Sequence, residues 1–269
     1  MRNNQKHMKN KSVRFSNKSK RCNICSLVFE KLSEDHVPPK CCGNSGNMLM
    51  SSYYEEDVNI NRRKGSTFIT ICSECNTFLG KNYDSVLGTF VNDVKMMMES
   101  HLYYPFIAFK FATNPLRLSK AILGHALATM VDKELLDIDF TREVQNLVLN
   151  VSNSDFSKVR IYYWCFPFRD LTIIKNNITS LNIHGYEVFG RNLYHIIKFY
   201  PVAFAIVYAE HPFECQFDEL TKYINGDNKC NVNMTITALP FDYPEGLRWG
   251  NMNLRLDNSN DLIITKKVK

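Results

Sequence analysis

Two pairs of cysteines constrain this chain more than any other feature of it. Cys22-Asn23-Ile24-Cys25 and Cys72-Ser73-Glu74-Cys75 share one spacing, with 46 residues between the pairs. A CxxC turn aims two sulfurs at one point, and two such turns complete a tetrahedral thiolate cage with sulfur–zinc distances of ~2.3 Å. A cage built from four protein ligands has no open position, so its Zn2+ is structural. It contributes folding energy to a segment whose own core is small. A pair of redox CxxC motifs is the alternative, but neither opens a βαβ pattern. Of the remaining cysteines, Cys41 and Cys42 are adjacent and read as free thiols in a loop. Cys165, Cys215 and Cys230 read as packing residues.

Composition narrows the class. At roughly 150 residues per domain, 269 residues make one large or two modest domains. The 45% hydrophobic content excludes a wholly disordered chain, and 11 Gly with 9 Pro exclude collagen-like sequence. No run approaches the ~18 apolar residues that a membrane span needs; the longest, around Phe199–Ala209, is broken by Pro201. The N-terminus is charged with no apolar stretch behind it, unlike a secretory signal. A cytoplasmic protein with no membrane partner is therefore expected, and its nine cysteines point to metal rather than disulfides.

The net charge of +6 is unevenly spread. Residues 1–21 carry eight of the 33 basic residues and no acid, which leaves 25 basic against 27 acidic residues in the rest. Residues 1–21 read as a basic flexible arm.

Beyond the second cysteine pair, Leu79, Tyr83, Val86, Leu87, Phe90, Val91, Val94 and Met97 recur at helical steps and predict one amphipathic face. A second helix is predicted from about Pro115 to Val131, with His125 as a packed, hydrogen-bonded core residue. Strands are predicted at Arg160–Phe166, Leu171–Ile174, Tyr186–Phe189, His195–Phe199, Ala203–Tyr208 and Val232–Ala238, which are β-branched and aromatic. The fold class is α+β, with helices followed by a mainly antiparallel sheet.

Chemistry concentrates between and just after the cysteine pairs. Glu34-Asp35-His36-Val37-Pro38-Pro39-Lys40 follows the first pair, and Asn76 follows the last cysteine directly. Asp35 is a hard oxygen ligand suited to Mg2+ or Mn2+. On a strand, neighbouring side chains point to opposite sides, so Asp35 can hold a metal while His36 faces a water. Asn76 can bring a second oxygen ligand to the same place.

The order CxxC, DHxxPK, CxxCN resembles the HNH endonucleases of the zinc-stapled type, with the ββα-metal fold. Cys75-Asn76-Thr77-Phe78-Leu79-Gly80-Lys81-Asn82-Tyr83-Asp84 is similar to a subgroup whose last motif continues from CN to a glycine and then an acid one helical turn on. The resemblance covers roughly residues 22–87, and implies a small HNH nuclease domain there and a C-terminal α+β domain over 88–269. It implies that Cys22, Cys25, Cys72 and Cys75 bind structural Zn2+, that Asp35 and Asn76 hold catalytic Mg2+ or Mn2+, and that His36 is the general base. The implied substrate is DNA, expected to be double-stranded, cut to a 5′ phosphate and a 3′ hydroxyl. Lys40, Arg62, Arg63, Lys64 and Lys81 are candidate phosphate contacts, with a solvated loop as the alternative for residues 62–64.

The family's central Asn, which braces the loop behind the histidine, is replaced at its usual place by Ser66; Asn61, Ser66 or Thr67 are the candidate substitutes. The stretch from Cys41 to Lys64 is long enough for an inserted substrate-contacting loop. Proteins resembling this one serve as nuclease effectors in mobile elements and bacterial anti-phage systems, a context in which a sensor or regulatory subunit is an open partner. Two nicking sites, as in a homodimer, are what a double-strand break needs. The competing expectation is a catalytically impaired zinc module that binds nucleic acid or a partner protein.

Overall fold

The computed structural model describes residues 15–52, 60–62, 64–100, 104–105, 107–131, 139–169, 171–183, 186–209, 217–224, 230–238 and 262–267. Its architecture is mixed α+β, and every strand pair in its sheets is antiparallel.

Strands β1 (Ser33–His36) and β4 (Thr67–Ile71) form a two-stranded ribbon, with Asp35 opposite Phe68 and His36 opposite Thr67. A bulge between Ser33 and Asp35 shifts the register and re-aims the side chains that follow it. The chain then enters a long helical run. Cys72 caps α1 (Ser73–Leu79), its sulfur accepting the Cys75 N–H at 3.4 Å. A π-helical turn, Gly80–Asp84, interrupts the run before α2 (Ser85–Glu99) continues it. The predicted stripe is buried as its spacing requires, from Leu79 through Met97, with Val86 at the margin.

Helix α3 (Pro115–Thr129) begins where Asn114 accepts the Arg117 N–H at 2.9 Å and Pro115 occupies the first turn. It is buried on nearly all sides, as a helix with so few charges can be. Gly124 permits this: a Cβ there would lie 2.5 Å from Leu79 Cδ2, so α3 rides directly on α1. Helix α4 (Asp139–Leu149) packs beside it.

The largest sheet has eight strands. β10 (Asp218–Glu219), β6 (Val159–Cys165), β9 (Val202–Tyr208), β8 (Tyr186–Phe199), β7 (Leu171–Ile183), β12 (Leu262–Lys267), β2 (Met48–Ser52) and β3 (Ile60–Arg62) lie in that order. β5 (Ala108–Thr113) and β11 (Val232–Thr237) form a separate ribbon. The segments predicted at 186–189 and 195–199 are parts of one strand, β8, and 171–174 is the start of β7.

Two expectations change. The stretch from Cys41 to Lys64 is not simply a loop: it supplies the β2–β3 hairpin, which β12 joins to the sheet. The basic arm is shorter than residues 1–21, because Phe15 is buried against Phe68 with ring centroids 5.5 Å apart. Ile69 N–H donates to the Phe15 carbonyl at 2.8 Å and Asn17 N–H to the Ile69 carbonyl at 3.0 Å, so this segment lies along β4. Residues 1–14 lie outside the described residues.

Among the described residues, apolar packing continues across residue 87. One apolar cluster runs from Phe15 to Ile236. The C-terminal carbonyls of α3 are capped from the cysteine-bearing segment: Asn23 donates to Leu127 at 2.9 Å and Met130 at 2.5 Å, and Thr70 to Ala128. Gln145 of α4 donates in turn to the Asn23 carbonyl at 2.8 Å. No helix among the described residues is long and apolar enough to cross a membrane.

Candidate active site and metal centre

The sulfurs of Cys22, Cys25, Cys72 and Cys75 all lie within 4.8 Å of one another, with Cys25 and Cys72 3.9 Å apart. Tetrahedral zinc bonded at ~2.3 Å separates its sulfurs by about 3.8 Å, so this group can hold a metal ion such as zinc. Backbone N–H groups of Ile24 and Cys72 point at Cys22 Sγ from 3.4 and 3.3 Å. The Cys75 thiol hydrogen bond first, then these N–H groups and that of Cys25, hold the Cys22 thiol at about 5 against its burial. Burial pushes Cys72 up to about 12, and the bond to Cys22 raises Cys75 well above the usual thiol range. One thiolate is thus stabilised already, and a metal would supply the charge needed to ionise the others. Cys41 and Cys42 are free thiols, Cys165 is buried, Cys230 is exposed rather than packed, and Cys215 lies outside the described residues.

His36 is half-buried at the end of β1, and its Nε2 lies 3.0 Å from the Lys64 carbonyl oxygen. A carbonyl only accepts, so Nε2 carries the proton and Nδ1 carries the lone pair. Burial, then the Lys40 ammonium, lower the pKa of His36 below the ordinary 6.5. The side chain is therefore a neutral imidazole near pH 7 with a defined basic nitrogen.

Asn76 reaches back from α1 to β1. Its Nδ2 donates to Ser33 Oγ at 2.9 Å and to the Glu34 carbonyl at 3.1 Å. Because that carbonyl cannot donate, the amide nitrogen is committed to β1, and Oδ1 is left as the atom free to bind a cation. Asp35, next along the strand, is buried and faces away from His36 towards α3. A carboxylate and an amide oxygen are the ligand types that a hard divalent cation takes.

Asp35 has a neighbour that no local pattern announces. His125 of α3 is buried between two acids, with Nδ1 3.6 Å from Asp35 Oδ2 and Nε2 3.0 Å from Asp84 Oδ1. Burial alone pulls its pKa down, and the Asp35 and Asp84 carboxylates beside it more than reverse this, raising it to about 10. The sequence places His125 in the core, which is correct, but its partners are charged. Asp84 ends the π turn, whose extra residue alters the rotation with which the side chain leaves the helix. Arg117 Nε donates to the Asn82 carbonyl at 2.7 Å and so satisfies a backbone acceptor within that turn.

The loop behind His36 is braced by Asn44, a residue outside the candidates named for that task. Its Nδ2 donates to the carbonyls of Pro38 at 2.6 Å and Ser66 at 3.0 Å, and its Oδ1 accepts the Ser66 N–H at 2.7 Å. The amide fits because Gly65, at φ +99°, has no Cβ; one there would lie 2.4 Å from Asn44 Oδ1. Ser66 thus takes part through its backbone, while Asn61 lies on β3 in the large sheet.

The basic candidates are dispersed. Lys40 begins a 3-10 turn close enough to His36 to influence it, and Lys64 contributes its carbonyl to His36 while its side chain is exposed. Lys81 is exposed on the π turn, Arg62 ends β3, and Arg63 lies outside the described residues. Beside this region an open cleft of about 380 Å3 is lined by Cys41, Asn44, Lys95, Arg169 and Tyr200 among others.

Comparison of the chain with protein-family models, curated proteins and solved structures gives no match.

Proposed function

We propose that this protein is a metal-dependent HNH endonuclease of the ββα-metal type, hydrolysing phosphodiester bonds of double-stranded DNA. The observation that carries the reading is His36, whose Nε2–H is tied to the Lys64 carbonyl so that Nδ1 is the free base. Its neighbour Asp35 and the oriented Asn76 amide oxygen are the oxygen ligands for Mg2+ or Mn2+. The four-cysteine group, as a zinc staple, fixes β4 and α1 to the knuckle that precedes β1.

In this mechanism His36 Nδ1 accepts a proton from the water that attacks the scissile phosphorus. The Lys64 carbonyl holds the ring in one tautomer and stabilises it as it becomes charged. Asn44 keeps the Pro38 and Ser66 backbones in place behind the ring. Asp35 and Asn76 would hold a divalent ion, whose chemistry there would be to stabilise the charge that builds on the phosphate and the leaving 3′ oxygen.

Supercoiled plasmid incubated with the full chain tests the reading. Cleavage is expected with Mg2+ or Mn2+, absent with chelator, and lost in His36→Ala. Metal-independent cleavage, or cleavage by His36→Ala, overturns the mechanism. A role as the nuclease effector of a bacterial defence system or mobile element belongs to the same reading and comes from the family resemblance alone.

A second reading is favoured by charge: residues 22–84 hold six basic against eight acidic residues. A zinc module that binds nucleic acid or a partner protein without cutting would give salt-dependent DNA binding and no nicked product in the same assay.

A further inference from the structure

The cysteine-bearing segment leaves Asp35 incomplete. Asp35 Oδ2 and His125 Nδ1 are both buried, and neither has a hydrogen bond within the described residues; they face each other at 3.6 Å. The opposite ring nitrogen of His125 is held by Asp84 at 3.0 Å. Elsewhere the imidazole has an apolar environment, a void of about 10 Å3 shared with Val37, Leu87, Ile122 and Phe204. Two carboxylates are thus the ring's polar partners, one from the strand that carries His36 and one from the π turn that follows Asn76.

We infer that His125 is a positioning residue for Asp35. Its ion-pair contact with Oδ2 at 3.6 Å orients the carboxylate and leaves the other oxygen for a cation, so the candidate site is completed by a residue from α3, outside the cysteine-bearing segment. The backbone is built for this contact. Gly124, the preceding residue, lets α3 approach Leu79 more closely than any side chain would allow, and Asn23 and Thr70 fix the α3 C-terminus from the other side. Asp84 sets the ring's rotation about the opposite nitrogen, and the π turn sets Asp84. A carboxylate that binds metal is itself held by a hydrogen-bond partner, and loss of that partner typically lowers metal affinity or activity by about 10–100-fold.

This inference rests on the proposal that Asp35 binds a divalent cation, and Mn2+ binding tests it separately from cleavage. Mn2+ affinity is read by the loss of the free-ion paramagnetic resonance signal on titration. The zinc-loaded full chain is compared with Asp35→Asn, His125→Gln, His125→Asn and the double variant Asp35→Asn/His125→Gln. Glutamine places its amide nitrogen near the position of Nε2 and keeps the Asp84 link, whereas asparagine mimics Nδ1 and keeps the Asp35 link. The expectation is that His125→Gln weakens Mn2+ about 10–100-fold, that His125→Asn stays closer to wild type, and that His125→Gln has no further effect in the Asp35→Asn background.

Wild-type Mn2+ affinity in His125→Gln, or an equal loss with and without Asp35, overturns the inference. The second result would mark a general packing defect, and circular dichroism melts of each variant identify one that fails to fold. If glutamine does not fold, the asparagine variant decides: its affinity must exceed that of Asp35→Asn. A wild-type chain that binds Mn2+ but does not cut DNA overturns the nuclease reading and leaves this inference standing. A chain that binds no Mn2+ overturns both.

Discussion

At the scale of single residues, His36 is defined by what surrounds it rather than by its place in a motif. Its pKa is depressed by burial and then by Lys40, and in the proposed mechanism the base form is the one that acts. Activity should therefore rise with pH through an acid limb lying below the ordinary 6.5. Lys40→Ala removes a cation that disfavours the imidazolium, so the pKa rises and the limb should move to higher pH; Lys40→Arg should leave it in place. A pH–rate profile on plasmid checks both, and an unmoved limb in Lys40→Ala would show that Lys40 does not tune the base. DHxxPK made Asp35 and His36 visible because strand alternation is a local rule. Asn44 and His125 were invisible as site residues because their partners, Ser66 on one side and Asp35 and Asp84 on the other, are brought close only by the fold. An Asn beside a loop glycine, or a His within an apolar helix, carries no sign of its partner.

At the scale of elements, the contact between the cysteine knuckle and α3 is the joint that matters most. Asn23 lies between the two cysteines of the first pair, is fully buried, and donates to two terminal carbonyls of α3. Asn23→Ala removes its side-chain donor from both carbonyls, Leu127 keeping the Met130 N–H, and should cost about 1–3 kcal/mol for the two bonds lost, read as a lower urea midpoint at unchanged slope. Because Asn23 moves with Cys22 and Cys25, removing a metal held by the four cysteines with a strong chelator should lower the melting temperature of the whole chain, helices included. Melting of the knuckle alone, with α3 and the sheet unaffected, would refute that coupling. The amphipathic run after Cys75 and the Pro115 helix were legible from period and caps. The π turn within the run was not, since one extra residue shifts a stripe by less than the width of the face it paints.

At the scale of the whole molecule, the charge asymmetry survives but its boundary moves. Five of the eight basic residues of the first 21 fall within residues 1–14, and the packed chain includes Phe15. If the proposed function holds, deleting residues 1–14 should flatten the salt dependence of DNA binding, with log K losing about 0.9 of slope for each phosphate contact removed. Extending the deletion to residue 21 removes Phe15 from the core and should cost about 3–5 kcal/mol. An unchanged salt slope in the shorter deletion would remove the arm from DNA binding. The α+β class and most strands of the second half were readable from β-branched and aromatic runs. The strand order was not, because β2, which carries β3 at its other edge, pairs with β12 across almost the full length of the chain.

That last pairing has a consequence for biosynthesis. During translation the β2–β3 hairpin emerges among the first segments, yet Met48 finds its β12 partner only when Lys267 has been made. The knuckle, β1, β4 and α1 can close around a metal while synthesis continues, whereas this edge of the sheet waits for late residues. The ribosome thus delivers the two ends of one sheet at opposite times, and the hairpin is the part of the molecule that depends longest on a chaperone or on its own solubility.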